Sequence, residues 1–153
     1  MLIQLLIGTA MIVLNLGIQV WAAVLVLYYF QRRLDQGRIS SDVAGGMRLL
    51  AAVMLFLFFG HILQFATWAW LFLWLGEFQD LETAFYHSTV NFTSLGYGDI
   101  VMSEKWRLLG ALEAANGVLM FGLTAGLILS VLNGLLRRHS NVHDKLHQHS
   151  DNP

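Results

Sequence analysis

Three long stretches of this chain are almost free of charge, and that feature limits what it can fold into more than any other. Residues 1–30 contain no Asp, Glu, Lys or Arg, residues 49–76 contain none, and residues 108–136 contain one, Glu113. A helix needs about 20 apolar residues to cross a hydrocarbon core ~30 Å thick, and each stretch exceeds that length. The pattern predicts an all-α membrane protein with three transmembrane helices, at about 3–30, 48–75 and 106–136. Composition agrees: 12% of the 153 residues are charged, roughly half the fraction of a soluble domain. With mean hydropathy at +0.58, much of the surface has lipid as its solvent. The first stretch lacks the basic start, the short apolar region and the small-residue cleavage site of a signal peptide, so it reads as a retained helix.

The loops orient these helices. The segment after the first helix carries Arg32, Arg33, Arg38 and Arg48 against Asp35 and Asp42, and the last segment opens with Arg137 and Arg138 and adds Lys145. The connection between the second and third helices holds Glu77, Asp80, Glu82, Asp99 and Glu104 against Lys105 and Arg107. Because Lys and Arg are retained on the cytoplasmic side, both basic segments are expected inside and the acidic connection outside. Three crossings then put the N-terminus outside and the C-terminus in the cytoplasm. Trp21, Tyr28, Tyr29 and Phe30 approach one interface and Trp68, Trp70, Trp74 and Trp106 the other, as aromatic belts do.

The connection between the last two helices is too apolar for a solvated loop. Residues 81–92 contain few helix breakers and predict about three turns, with Asp80 as N-cap and Glu82 in the first turn, where a negative charge suits the helix dipole. Thr93-Ser94-Leu95-Gly96-Tyr97-Gly98-Asp99 follows. A short helix leading into a glycine-bearing extended stretch is the pattern of a re-entrant loop, tolerated at membrane depth where it is buried in protein or lines an aqueous path. A dehydrated cation needs oxygen ligands, and rings of backbone carbonyls supply them. Pointing successive carbonyls the same way requires unusual backbone angles, which Gly96 and Gly98 permit. Four subunits around one axis would stack the carbonyls of Ser94, Leu95, Gly96 and Tyr97, with the Ser94 hydroxyl as innermost ligand. The short helix would turn its negative C-terminal end toward the cavity.

These residues resemble the signature filter of the tetrameric potassium channel superfamily, and their placement resembles that family's two-helix pore module, over roughly residues 49–136. The resemblance implies a homotetramer in a plasma membrane, K⁺ as the permeant ion, no cofactor, and a filter formed by Thr93, Ser94, Leu95, Gly96, Tyr97 and Gly98. It divides the chain into an extra N-terminal transmembrane helix (1–30), a basic cytoplasmic loop (31–47), a pore module (48–136) and a His-rich cytoplasmic tail (137–153). The family's usual threonine and valine before the first filter glycine are Ser94 and Leu95 here, and the glutamate that some members carry on the pore helix is Val90. The expected filter supports are therefore Asp99 bonded by Tyr86, His87 or Asn91 bonding the Tyr97 hydroxyl, and Glu113 standing in for the missing carboxylate by bonding Asn91 or the filter backbone, joined by Asn116. Gly117, Gly122 and Gly126 are the hinge candidates, the last two also forming a small-residue face. Thr124 and Ser130 are candidates to line the cavity.

Other features narrow the function. No cysteine is present, which removes disulfides and thiolate chemistry, and a net charge of −1 gives no footing for nucleic acid. Within the first two helices no Lys or Arg forms a voltage-sensing array, and 17 residues from Arg137 onward are too few for a folded ligand-binding domain. Gating is therefore expected to be intrinsic. The absence of added domains points to a bacterial inner membrane. Asn15, Gln19, His61 and Gln64 lie inside helices, where polar residues usually bond a neighbouring helix. His139, His143 and His147 share one helical face of the tail, a spacing compatible with a solvated helix, Zn²⁺ binding or acid sensing. An enzyme built on Glu113 and His61 lacks a nucleophile–base pair. The alternatives to a K⁺ channel are a weakly selective cation channel and an accessory subunit of another channel.

Overall fold

In the computed structural model the described residues are 1–35 and 43–150, with side chains at 1–33 and 44–137. They form four helices, α1 (Leu2–Asp35), α2 (Val43–Trp74), α3 (Leu81–Phe92) and α4 (Arg107–Ser150), and no strand. Three are long and apolar enough to cross a membrane: Leu2–Arg33, Ala44–Trp74 and Arg107–Arg137. This is an all-α, multi-pass membrane protein. Only 22%, 28% and 17% of the most apolar window of each is buried within the chain, so lipid or other protein must cover the rest.

The helices outrun the spans expected from charge. α1 continues past Arg32 and Arg33, α2 starts before Arg48, and α4 runs through the start of the tail to Ser150. The bilayer decides where charges begin, whereas the backbone hydrogen-bond ladder is indifferent to leaving it. Most of the basic loop expected at 31–47 is thus helical, and the part at 36–42 lies outside the described residues, as do the side chains of His139, His143 and His147.

The chain clusters into two units, to which α1, α2 and α4 each contribute: one from residues 1–21 and 58–123, the other from the described residues of 22–57 and 124–153. The first has a core of Phe65, Trp68, Phe72, Phe92, Leu109 and Met120, with Ile7, Met11, Phe78 and Phe85 packed on it. Its rings meet edge to face, as aromatic quadrupoles prefer: Phe65–Phe92 centroids are 5.0 Å apart at 66°, and Phe92–Phe121 are 5.8 Å apart at 87°. α1 is seated here by close approach to α4, since a Cβ on Gly8 would stand 2.4 Å from Leu112 Cδ1. The Gln4 amide also donates to the Lys105 carbonyl. The second unit buries Ala22, Val26, Phe30, Val53, Leu57, Leu127 and Val131. Gly134 lies against the Phe30 ring, where a Cβ would stand 2.9 Å from two ring carbons.

Candidate functional site

α3 begins as expected. Asp80 has extended backbone (φ −133, ψ 155), and its Oδ1 accepts the Thr83 N–H at 2.8 Å. Its Oδ2 accepts the Thr83 hydroxyl at 2.8 Å. The two donors hold the Asp80 carboxyl below its ordinary pKa. Glu82 sits in the first turn.

How α3 ends shapes the residues that follow. Ser94 N–H donates to Asn91 O (2.8 Å) and Leu95 N–H to Val90 O (3.0 Å), with Ser94 at φ 58. That pair of bonds across one left-handed residue is a Schellman cap. α2 ends the same way: Gly76 (φ 75) donates to Leu73 O and Glu77 to Phe72 O, both at 3.0 Å. α2 uses the glycine that left-handed backbone favours, whereas α3 places serine there, at a cost of roughly 1–2 kcal/mol. Gly96 N–H turns back as well, reaching Val90 O at 3.3 Å.

Three consecutive N–H groups therefore face the carbonyl end of α3. Positive φ recurs at every second residue, Ser94 (58), Gly96 (60) and Gly98 (74), while Leu95 and Tyr97 keep negative φ. Alternating the sign of φ turns successive carbonyls toward one side, where a strand would alternate them. Among the described residues no carbonyl of residues 93–98 accepts a hydrogen bond. Every residue from 93 to 99 is exposed in the single chain.

The far end of the stretch is tied to α3. Tyr86 Oη donates to Asp99 Oδ2 at 2.7 Å; this bond holds the Asp99 carboxyl below its usual range and pushes the Tyr86 hydroxyl up. His87 Nδ1 lies 3.1 Å from Ile100 O, and Nε2 lies 2.8 Å from Asn91 Nδ2. A carbonyl only accepts, so Nδ1 carries the proton and Nε2 accepts from the Asn91 amide. Burial lowers the His87 pKa, opposed by the bond to Ile100. With both ring nitrogens engaged, His87 does not reach the Tyr97 hydroxyl within the chain, and the Asn91 side chain meets His87 and also faces the Glu113 carboxyl, as expected of that pair. That corrects the expected partnership with Tyr97. Beyond the stretch, Glu77 accepts from Ser103 N–H (2.7 Å) and from the Ser103 hydroxyl (2.6 Å), bracing the connection.

Glu113 and Asn116 are wholly buried. Glu113 Oε1 pairs with the Ser88 hydroxyl on α3, which also lies 2.8 Å from Phe65 O on α2. Ser88 thus joins three helices at one atom, a role that nothing in its sequence context signals. Glu113 Oε2 and both amide atoms of Asn116 have no hydrogen-bond partner, so Asn116 does not join the Glu113 bond as expected. Gly117 lies directly against the end of α3: a Cβ there would stand 1.8 Å from Phe92 O. Gly122 and Gly126 meet nothing within 4 Å among the described residues. Thr124 is half-buried and Ser130 exposed.

The last four polar residues singled out in the sequence meet in one cluster. Gln64 Nε2 reaches Gln19 Oε1 (3.0 Å) and Asn15 O (3.4 Å), and Gln64 Oε1 pairs with His61 Nδ1 (3.1 Å). Gln64 bonds across to Asn15 and Gln19 on α1, as lipid-embedded polar residues do, whereas the bond of His61 to Gln64 stays within α2.

A capped short helix, a run of outward carbonyls and three apolar spans define an ion-conducting membrane protein. An ion channel family matches residues 50–133, more than half of the chain, and the chain belongs to that family. No curated protein and no solved structure matches it. The match starts inside α2 and ends inside α4, leaving α1 outside it.

Proposed function

We propose that four copies of this chain form a potassium-selective channel, conducting passively through a backbone-carbonyl filter on the four-fold axis. The observation that carries this reading is the alternation of left-handed backbone at Ser94, Gly96 and Gly98, with N–H groups turned to α3 and carbonyls unengaged. Unengaged carbonyls in rings are what a dehydrated K⁺ requires. The ligands are the carbonyls of Ser94, Leu95, Gly96 and Tyr97, with the Ser94 hydroxyl innermost and Thr93 and Gly98 bounding the filter. Asp99, Tyr86, His87, Asn91 and Glu113 support it from behind.

Exposure supports assembly. Leu95 is 54% and Tyr97 67% exposed in one chain, and the Gly122–Gly126 face of α4 stands open. Neighbouring copies cover both in a tetramer, with the small-residue face permitting close helix approach. The positive-inside distribution supports an N-terminus outside and a C-terminus in the cytoplasm, in what we read as a bacterial inner membrane.

The test is ion flux from liposomes holding only this protein, with K⁺ inside, Na⁺ outside and a proton ionophore reporting the potential. K⁺-driven uptake that Ba²⁺ blocks and that Gly96→Asp abolishes is the expected result. Equal Na⁺ and K⁺ flux would leave a pore without selectivity and trace the loss to Ser94 and Leu95. No flux from a verified tetramer would favour an accessory subunit.

A further inference from the structure

α1 lies outside the residues matched to the channel family, yet its polar side chains are among the most deeply buried in the molecule: Asn15 at 0% and Gln19 at 2% exposure. Gln64, itself at 0% exposure, bonds the Gln19 side chain and the Asn15 backbone carbonyl, and the Asn15 side chain meets Thr67. The Gln64 amide is fully used. Its two N–H groups go to Gln19 Oε1 and Asn15 O, and its carbonyl oxygen takes the proton on His61 Nδ1. Because those partners fix which end of the amide is nitrogen, Gln64 cannot turn without breaking three contacts. The Thr67 hydroxyl donates to the Gln64 backbone carbonyl one turn back (2.7 Å) and lies 3.3 Å from Asn15 Oδ1.

The next contact is aromatic. The His61 ring, oriented by Gln64, meets Phe121 at a tilt of 56° with centroids 4.7 Å apart, and lies 6.3 Å from Phe92. Phe92 is the last residue of α3. Its ring packs on Phe121, its carbonyl lies against Gly117, and the Schellman cap that turns the chain into residues 94–98 starts just beyond it. We infer that α1 is a working part of the permeation machinery: through Gln64 and His61 it positions Phe92, and with it the cap at the base of the candidate filter.

Gln64 and His61 are on this account positioning residues rather than ligands of the ion. The inference rests on residues 94–98 forming the filter, so its test includes a readout independent of ion selectivity. That readout is hydrogen exchange of the Ser94, Leu95 and Gly96 amides in the full chain, reconstituted in lipid as the intact oligomer. The key variant is His61→Phe, which keeps an aromatic ring beside Phe121 and Phe92 and loses the bond to Gln64. Exchange at 94–96 should quicken about twofold to tenfold, the net worth of one hydrogen bond. Asn15→Leu/Gln19→Leu should give the same change, and Val13→Ala on the exposed face of α1 none. If wild type discriminates K⁺ from Na⁺, both perturbing variants should narrow that ratio.

Unchanged exchange at 94–96 in His61→Phe, with the oligomer intact, would overturn the inference. So would faster exchange confined to α1 in the double variant, since α1 would then be anchored without acting on the cap. Wild-type flux that fails to distinguish K⁺ from Na⁺ would count against the selectivity reading alone.

Discussion

The two units of this chain are held by different forces. All eight buried polar or charged side chains among the described residues, Asn15, Gln19, His61, Gln64, His87, Ser88, Glu113 and Asn116, fall in the unit that carries the candidate filter. The core of the other unit is entirely apolar. Lipid is as apolar as leucine, so apolar faces gain little by meeting each other there and associate mainly through van der Waals packing. Hydrogen bonds are directional and set register. In the first unit helices cannot slide without breaking a bond such as Ser88–Glu113 or Gln64–Gln19. In the second, the buried core among the described residues is held by apolar packing. Directional bonds are thus concentrated around the candidate filter stretch.

The difference can be broken most severely at a glycine. Gly117→Ala drives a Cβ into the Phe92 carbonyl, a backbone atom that cannot swing aside. The expected outcome is a loss above the usual 1–3 kcal/mol of overpacking, read as failure to recover oligomer or flux. Gly122→Ala meets nothing within 4 Å among the described residues, so a loss, set against the gain of about 1 kcal/mol in helix propensity, would report contact with another copy.

Ser88→Ala is next. It removes the hydroxyl shared by Glu113 and Phe65 O and leaves a buried carboxyl unpaired. A cost of about 1–3 kcal/mol is expected, measured as a lower melting temperature in detergent. Ser88→Thr keeps the hydroxyl and should recover most of the loss.

The apolar unit should tolerate more. Gly134→Ala meets only the far edge of the Phe30 ring at 2.9 Å, and a ring can shift. The expected cost is about 1 kcal/mol or less, with flux retained. A loss as large as that at Gly117 would mean the apolar unit is as rigid as the polar one.

The smallest effect concerns pH. Burial places the folded His87 pKa below its ordinary 6.5, so below that value the unfolded chain binds more protons than the folded one. Stability from this group is therefore fully present above pH 6.5 and declines as pH falls through 6.5 toward the folded pKa. Wild-type melting temperature should fall over that acid range more steeply than that of His87→Gln, with no difference between them from pH 7 to 8. Current should show the same insensitivity at neutral pH, because both ring nitrogens are already engaged in the neutral form.

Legibility followed the range of the causes. Asp80 announced the start of α3 because an N-cap acts within four residues, and the Tyr86–Asp99 bond was foreseen from the position of two residues flanking one motif. The end of α3 was hidden: its left-handed residue is Ser94, and serine carries no signal for that backbone, whereas Gly76 does the same work at the end of α2 in plain view. Asn91 was expected at Tyr97 and sits on His87, because which neighbour an amide meets depends on how α3 is rotated. Glu113 was recognised as costly in lipid, but its partner Ser88 was not, since an isolated serine on a helix has no reason to be singled out.

By itself the sequence determined the three spans, the capped start of α3 and the carbonyl-bearing stretch, since these depend on the choice of solvent and on bonds between near neighbours. Tertiary structure alone decided that α1 is bonded through Gln64, that Ser88 joins three helices, and that Gly117 is the point where α4 meets the end of α3. Those contacts join residues up to 49 positions apart, and they depend on helix rotations that apolar faces in lipid do not select.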